Sequence, residues 1–319
     1  MLQLLLRFVL VLIVIGVGLS EPLYALTASV DVSAGYSDNV LVSSDEQSSG
    51  YSQYRIDVDQ TLSENDNRSF GVYVAGRYRD YFRFTNQWQA TAGVSSWNRL
   101  LNGQLHSYNF IEVSAFRDDL IPEDDNNIVS VGSQWRWFFD DQISASVKAD
   151  YQFSDYRDKV VDRQQLFLNG SGSGKKNKGS SGGDAGTGGA DMEQRTDHLW
   201  RVVLNGKYLF NADLSSELAM IVIHNGSSLD SEAYDAIGVK NSWNYYLLND
   251  VSLVLAGSHL WRDYDAFSER EFILNSELTW HCSESYVVYL RCDKRWNDSP
   301  INYDSYSELV SECGLIWSF

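Results

Sequence analysis

Charged side chains recur two residues apart in this sequence, first at Arg55, Asp57 and Asp59 and then at Arg77 and Arg79. Residues two apart share one face of a β-strand. Such a face can line an aqueous channel and select solutes, or it can form internal salt bridges that plug a narrow barrel. We predict a charged inner wall, whose candidate lumen-lining residues are Arg55, Asp57, Asp59, Arg77, Arg79, Lys148, Asp150, Arg201, Lys207, Glu277, Arg291, Asp293, Arg295, Glu308 and Glu312.

None of the histidines lies in a recognisable nucleophile or metal motif. There is no HExxH or GxSxG pattern around any of the five histidines, which are His106, His198, His224, His259 and His281. The acidic run at 123–127 could bind Ca²⁺, but it lacks the turn glycine and distal glutamate of an EF-hand loop, which favours a solvated loop. We therefore expect no enzymatic activity, no metal site and no cofactor.

Three cysteines lie late in the chain, at Cys282, Cys292 and Cys313. If Tyr286 lies opposite Phe319, antiparallel pairing puts Cys292 opposite Cys313 on the apolar face. A cross-strand disulfide is one outcome, because the periplasm permits oxidation, and two free cysteines are the other. Cys282 falls alone in a turn.

These residues must be positioned by β-strands, because apolar and polar residues alternate over segment after segment. Ile143, Val147 and Tyr151 share one face, whereas Lys148 and Asp150 share the other. No segment after residue 28 reaches the roughly 18 apolar residues of a membrane-spanning helix. We predict an all-β fold, a transmembrane antiparallel up-and-down β-barrel of about 14 strands with apolar residues facing lipid. The predicted strands are 27–36, 52–63, 69–83, 87–100, 105–117, 128–138, 143–155, 198–209, 214–224, 236–246, 251–261, 270–281, 286–297 and 305–319, with a bulge after Val94.

The links between these strands alternate in length, as short periplasmic turns and long outer loops do in outer-membrane barrels. The short links carry Asn, Asp or Gly for the most part and lie at 64–68, 101–104, 139–142, 210–213, 247–250 and 282–285. The link near 84–86 is brief, and the other outer links are longer, at 37–51, 118–127, 156–197, 225–235, 262–269 and 298–304. This pattern predicts the bacterial outer membrane as the location.

The two ends of the chain carry export signals. Arg7 followed by the apolar run 8–19 is typical of a secretory signal peptide, predicted over 1–25, with the barrel over 26–319. Within the barrel, the Gly/Ser-rich segment 169–191 is predicted to be a disordered outer loop. The ending Leu315, Trp317 and Phe319 resembles the terminal strand of outer-membrane barrels, which the barrel-insertion machinery reads.

One segment resembles a known group of proteins. Residues 35–40, Gly-Tyr-Ser-Asp-Asn-Val at the exit of the first strand, are similar to β-barrel porins associated with exopolysaccharide secretion. The barrel domains of surface-lipoprotein assembly modifiers carry a similar Tyr-x-x-Asn-Val exit. The resemblance implies an outer-membrane barrel of about 14 strands with a role in export.

The sequence favours an outer-membrane channel that passes small solutes or polymer through a charged lumen. An export or assembly barrel with a periplasmic partner, and a structural or adhesive surface protein, are the alternatives. Outer-membrane lipid and lipopolysaccharide are the expected surroundings. Nucleic acid is not an expected partner, because the net charge is −18 and phosphate binding needs clustered Lys and Arg.

Overall fold

The computed structural model describes residues 26–42, 44, 46–119, 121, 124–161, 192–301 and 304–319, without the side chains of 158–161 and 192–194. The predicted signal peptide at 1–25 and the Gly/Ser-rich segment at 169–191 lie outside the described residues. Within those residues, no helix is long and apolar enough to cross a membrane.

Fourteen β-strands form in the described residues, which confirms the predicted antiparallel barrel. They are β1 Leu26–Ser37, β2 Ser49–Asn65, β3 Arg68–Tyr81, β4 Asn86–Leu100, β5 Leu105–Asp118, β6 Asn126–Phe138, β7 Ile143–Val161, β8 Met192–Leu209, β9 Leu214–Ser227, β10 Tyr234–Leu248, β11 Val251–Tyr264, β12 Ser268–His281, β13 Tyr286–Asp298 and β14 Tyr306–Ser318.

The sheet closes on itself. Each strand pairs antiparallel with its neighbours in sequence, and β1 pairs with β14, with Val30 opposite Trp317. Beyond the ladder, the amides of Ala28 and Phe319 donate to each other's carbonyl oxygens at 3.0 and 2.9 Å. Closure leaves no unpaired edge among the fourteen described strands, and a hydrocarbon environment would not tolerate such an edge.

The two faces of the sheet differ in character. Tyr51 on β2 reaches past β1 to Glu312 on β14, with 2.7 Å between its hydroxyl and Oε2. Side chains from alternate strands converge in this way on the concave face, so Tyr51 and Glu312 mark the inward face. The opposite face exposes large apolar side chains such as Trp200, Leu218 and Leu290, the arrangement expected where hydrocarbon surrounds a barrel.

Aromatic rings on the inward face lie against glycines of the neighbouring strand. Tyr51 lies opposite Gly35, and a Cβ added at Gly35 would be 2.4 Å from the Tyr51 Cζ atom. The same close packing occurs in three further cross-strand pairs, which are Tyr73 with Gly93, Phe110 with Gly132 and Tyr289 with Gly314. A side chain at any of these glycines would push the ring away from the wall.

The short links close through polar side chains that bond the backbone. Asp140 Oδ1 accepts hydrogen bonds from the amides of Gln142 and Ile143, both at 2.7 Å. Asn65, Asn211 and Ser283 accept equivalent pairs of amide donors in their own turns. These links lie at the same rim as the start of β1 and the end of β14. In outer-membrane barrels this is the periplasmic rim.

The predicted position of a bulge in the sheet is wrong. Strand β4 pairs with both neighbours without a shift, so the bulge predicted after Val94 is absent from this described strand. The register shifts lie instead between Thr61 and Ser63, between Asp155 and Lys159, and between Tyr246 and Leu248.

The predicted opposition of two cysteines is also wrong. Tyr286 lies opposite Trp317 rather than Phe319, so Cys292 faces Ser311 and Cys313 faces Leu290. Both cysteines are on the outward face, and both are free, as is the exposed Cys282. The outcome is the free-cysteine alternative.

Candidate functional site: the inner wall of the barrel

Cross-strand register fixes which charged residues face inward, because directly paired residues share a face. Arg55 lies opposite Arg77, and Arg291 lies between Glu277 and Glu312. Followed around the barrel, the pairing puts all of these candidate residues on the inward face: Arg55, Asp57, Asp59, Arg77, Arg79, Lys148, Asp150, Arg201, Lys207, Glu277, Arg291, Asp293, Arg295, Glu308 and Glu312. That they line a conducting passage stays a prediction.

Most arginines on the inward face of β8–β14 are bound to carboxylates. Arg201 Nη2 lies 2.9 Å from Asp150 Oδ2 on the adjacent strand. Arg291 Nη2 lies 2.5 Å from Glu277 Oε2, and Glu271 is shared by two arginines. The further ion pairs join Arg262 to Glu271 at 2.5 Å, Arg295 to Glu271 at 3.2 Å, Arg195 to Asp197 at 2.5 Å and Arg195 to Glu232 at 3.0 Å. The charge of the arginines in this part of the wall is therefore locally neutralised.

The inward face of β2 and β3 carries three arginines with a different set of partners. We call Arg55, Arg77 and Arg79 the arginine patch. Within it, Arg55 binds Asp57 through two nitrogens, at 2.7 and 2.9 Å. Arg77 and Arg79 make no ion pair within 4.0 Å to a carboxylate of the described residues.

Neutral oxygens hold the other two guanidinium groups of the patch. Arg77 is exposed, and its Nη2 donates to the amide oxygen of Gln89 at 3.2 Å. Arg79 donates twice to the amide oxygen of Gln53, at 2.9 and 3.1 Å, and lies over the Tyr51 ring at 4.3 Å. These contacts orient the arginines without cancelling their charge.

Two carboxylates and two tyrosines form a compact cluster beside the patch. Glu312 is only 5% exposed and accepts hydrogen bonds from the hydroxyls of Tyr51 and Tyr289, at 2.7 and 2.8 Å. The Tyr289 hydroxyl also lies 3.2 Å from each oxygen of Asp31. The cluster joins β1, β2, β13 and β14, so it fixes the wall where the barrel closes.

At the outer rim, the loop after β1 folds onto the inner wall. Val40 is buried against Tyr51 and Tyr81, and its amide donates to the Gln47 carbonyl at 2.7 Å. The Asn39 side-chain amide donates to the Ser307 carbonyl at 3.3 Å. This loop therefore covers the outer end of the wall directly above Arg79, whose guanidinium lies over Tyr51.

The histidines are scattered rather than gathered into a site. His198, His224 and His259 face outward, where His198 lies near Tyr151, His259 stacks on Trp261 and His224 bonds the exposed Asp235 at 2.7 Å. No group of three or more His, Cys, Asp or Glu side chains in the described part of the chain could hold a metal ion. In the acidic run, Asp125 instead lies 3.8 Å from both Arg117 and Arg157.

Sequence reasoning missed several charged residues near the outer rim. Arg195, Asp197, Arg262 and Glu269 fall in segments predicted to be loops, but they extend strands β8, β11 and β12. Their alternate spacing was the available signal, since Arg195 and Asp197 are two apart, as are Glu269 and Glu271.

No protein family and no curated protein matches the sequence. The structure is similar to three solved barrels. A loop L8 deletion mutant of OmpT, an outer membrane protein of Vibrio cholerae, is 10% identical with a TM-score of 0.52, covering 92% of this chain and 99% of that one. The outer membrane channel DcaP of Acinetobacter baumannii is 11% identical with a TM-score of 0.51, covering 92% and 96%.

The third, a bacterial polysaccharide outer membrane secretin, is 10% identical with a TM-score of 0.51, covering 92% and 98%. At these identities the likeness shows the fold. Together with the closed sheet and its apolar outward face, it identifies a transmembrane β-barrel of the bacterial outer membrane.

Proposed function

We propose that the protein is a non-enzymatic outer-membrane channel that passes small solutes or polymer through a charged lumen. The observation that carries the proposal is the solvent exposure of charged side chains on the inward face. The side chain of Arg55 is 54% exposed and that of Arg291 is 45% exposed. A barrel plugged by its own side chains would bury these groups.

The chemistry of the wall supports the same conclusion. Charged groups on a concave face need water, ions or partners, because an unpaired charge in a dry interior is very unfavourable. Buried apolar side chains are few among the described residues, and the one cluster they form lies at the outer rim around Val40, Tyr51 and Tyr81. The described residues therefore form no second buried apolar cluster that would fill the barrel.

A second proposal is an export or assembly barrel for exopolysaccharide or surface lipoprotein, which would work with a periplasmic partner. Two observations favour it. The segment 35–40 resembles porins of the exopolysaccharide-associated type, and a polysaccharide secretin shares the barrel fold. In either role, we propose that the insertion machinery recognises Leu315, Trp317 and Phe319, which are exposed on the outward face of the last strand and the residue after it.

Conductance across a planar lipid bilayer tests the channel. The refolded barrel, checked for sheet circular dichroism and for a heat-sensitive gel shift, is expected to give stepwise conductance, and heat-denatured protein is the control. A barrel that passes both folding checks and shows no conductance steps would overturn the channel proposal. Steps that appear only after a periplasmic extract is added would favour the export barrel.

A further inference from the structure

The inner wall holds two kinds of arginine, and they differ in how their charge is balanced. Arg201, Arg262, Arg291 and Arg295 each bind a carboxylate of a neighbouring strand. Arg77 and Arg79 have amide and phenol oxygens as partners among the described side chains. Arg77 and Arg79 therefore differ from the arginines on the inward face of β8–β14, each of which has a carboxylate partner.

The backbone brings the arginine patch into a small area. Arg55 and Arg77 are directly paired across β2 and β3, where side chains on one face lie about 5 Å apart at Cβ. Arg79 is two residues further along the same face, about 7 Å away by strand rise. Like charges that lie directly opposite destabilise a sheet, so the patch persists at a cost that an anion would remove.

The donors of Arg77 remain available to such an anion. A guanidinium carries five N–H donors, and the described contacts of Arg77 use one of them, on Gln89. The exposed side chain lies on the wall below the loop that holds Val40. Gln89 and Gln53 orient the two guanidinium groups, and no described carboxylate lies within 4.0 Å of either one, which is how a site for an anion is prepared in advance.

We propose that the arginine patch binds carboxylate-bearing solutes during passage, with Arg77 as the main contact. This inference rests on the proposed channel. The planar fork of a guanidinium matches both oxygens of a carboxylate, which gives stronger and more directional binding than a point charge. The carboxylate can come from an acidic sugar or from a small aliphatic acid, and both classes are tested below.

Block of single-channel current by added solutes measures the binding. Glucuronate represents the acidic sugars, succinate the aliphatic acids and glucose the uncharged control. We expect at least one acid to block the current, and glucose not to; which acid blocks identifies the source. Arg77→Gln is expected to raise the half-blocking acid concentration about tenfold, as loss of a charged hydrogen bond does.

Arg201→Gln is the matched control. It removes the same charge from the same wall, but at an arginine that binds Asp150 at 2.9 Å. The half-blocking acid concentration should stay within about twofold of the original, which is well under the tenfold change, or 1.4 kcal/mol, expected for Arg77→Gln. Arg77→Lys keeps the charge and loses the planar fork, so its half-blocking acid concentration should lie between those of Arg77→Gln and Arg201→Gln. It also carries the test if Arg77→Gln fails the gel-shift assay for folding.

Three results would overturn the site. They are equal block by glucose, an equal effect of Arg77→Gln and Arg201→Gln, and conductance that neither acid blocks. The last of these leaves the channel proposal intact. If the folded barrel does not conduct, the channel proposal fails instead, and calorimetric titration of the detergent-solubilised barrel with glucuronate and succinate decides on the site alone.

Discussion

Large aromatic rings fit on the inner wall where the opposite residue is glycine. The Tyr51 ring occupies the space that a side chain at Gly35 would take, and its hydroxyl reaches Glu312 as a result. Gly314 makes the same room for Tyr289, the second phenol donor to Glu312. The two glycines thus set where the tyrosines lie, and the tyrosines in turn hold the carboxylate of the cluster.

Gly35→Ala is expected to destabilise the barrel by about 1–3 kcal/mol, the usual range for overpacking. The new Cβ would lie 2.4 Å from Tyr51 Cζ and 2.8 Å from the Ser311 carbonyl oxygen, so the ring must shift away from Glu312. Urea unfolding in lipid vesicles measures the change. Gly206→Ala is the control, because no atom lies within 4 Å of its added Cβ, and equal losses in the two variants would contradict this account.

The face of each charged residue could be predicted from the sequence, but its partner could not. Alternation is enough to assign Arg77 and Arg201 to the same side of their strands. Whether an arginine meets Asp150 or Gln89 depends on the register with the next strand, which is fixed by turns and packing. The distinction between the arginines that bind a carboxylate and Arg77 and Arg79, which do not, therefore needed the structure.

At the scale of single elements, the periplasmic turns set where strands begin and end. Their Asn, Asp and Gly residues mark the boundaries in sequence, and the predicted starts of β5, β7, β9, β11 and β13 agree with the structure. Most outer ends were predicted too short, and the largest differences are in β7 and β8, which run on to Val161 and from Met192. Beyond the membrane both faces of a strand are polar, so alternation no longer marks it.

The cysteine register shows a second limit at this scale. β13 and β14 are joined by the outer loop 299–305, which imposes no fixed hairpin register. The predicted pairing of Tyr286 with Phe319 differs from the observed pairing with Trp317 by two residues. A shift of two leaves every side chain on its original face, so the hydrophobic pattern cannot detect it.

Asp140→Ala should cost about 1–2 kcal/mol, because two backbone amides lose their acceptor in the turn between β6 and β7. Asp140→Asn keeps the accepting oxygen and should stay close to the original in stability. Urea unfolding in vesicles again gives the comparison. A loss in Asp140→Asn as large as in Asp140→Ala would mean that the charge, rather than the hydrogen bonds, matters.

The loop after β1 is expected to limit flow at the outer rim. Val40→Asp replaces the apolar contact with Tyr51 and Tyr81 by a buried carboxylate. The cost of removing that charge from water should exceed what its attraction to Arg79, beneath the same rings, returns, so the loop should leave the wall. Single-channel conductance should then rise above that of the original protein. Gln47→Asp adds the same charge at an exposed position of the same loop and should leave conductance unchanged. Unchanged conductance in Val40→Asp would show that the loop does not narrow the passage.

At the scale of the whole molecule, one physical requirement links the sequence to the fold. Hydrocarbon outside favours apolar residues on the outward face of every strand, and closure of β1 on β14 removes the edge that lipid could not satisfy. The number of strands could be predicted because the requirement repeats in each of them. It says nothing of loops, so the covering of the outer rim by Val40 could not be predicted.

Two neighbouring residues of β8 test this requirement directly. Leu204 faces outward and lies five residues from the periplasmic end of its strand, near the middle of a bilayer for a strand of about 10 residues. Leu204→Arg should therefore cost about 2–4 kcal/mol, the depth-dependent penalty for a cation on the lipid face. Asn205 faces inward and already donates a hydrogen bond to Glu217, so Asn205→Arg exchanges that bond for an ion pair and should be tolerated.

Unfolding in vesicles whose hydrocarbon thickness matches the strand gives the comparison between the two arginines. The two variants place the same charge at adjacent positions of the chain, one on the outward face and the other on the inward face. Equal tolerance of both arginines would mean that the outward face does not contact hydrocarbon, and the membrane placement would fall with it. A large penalty confined to Leu204→Arg would show that lipid and lumen are separated by the thickness of a single strand.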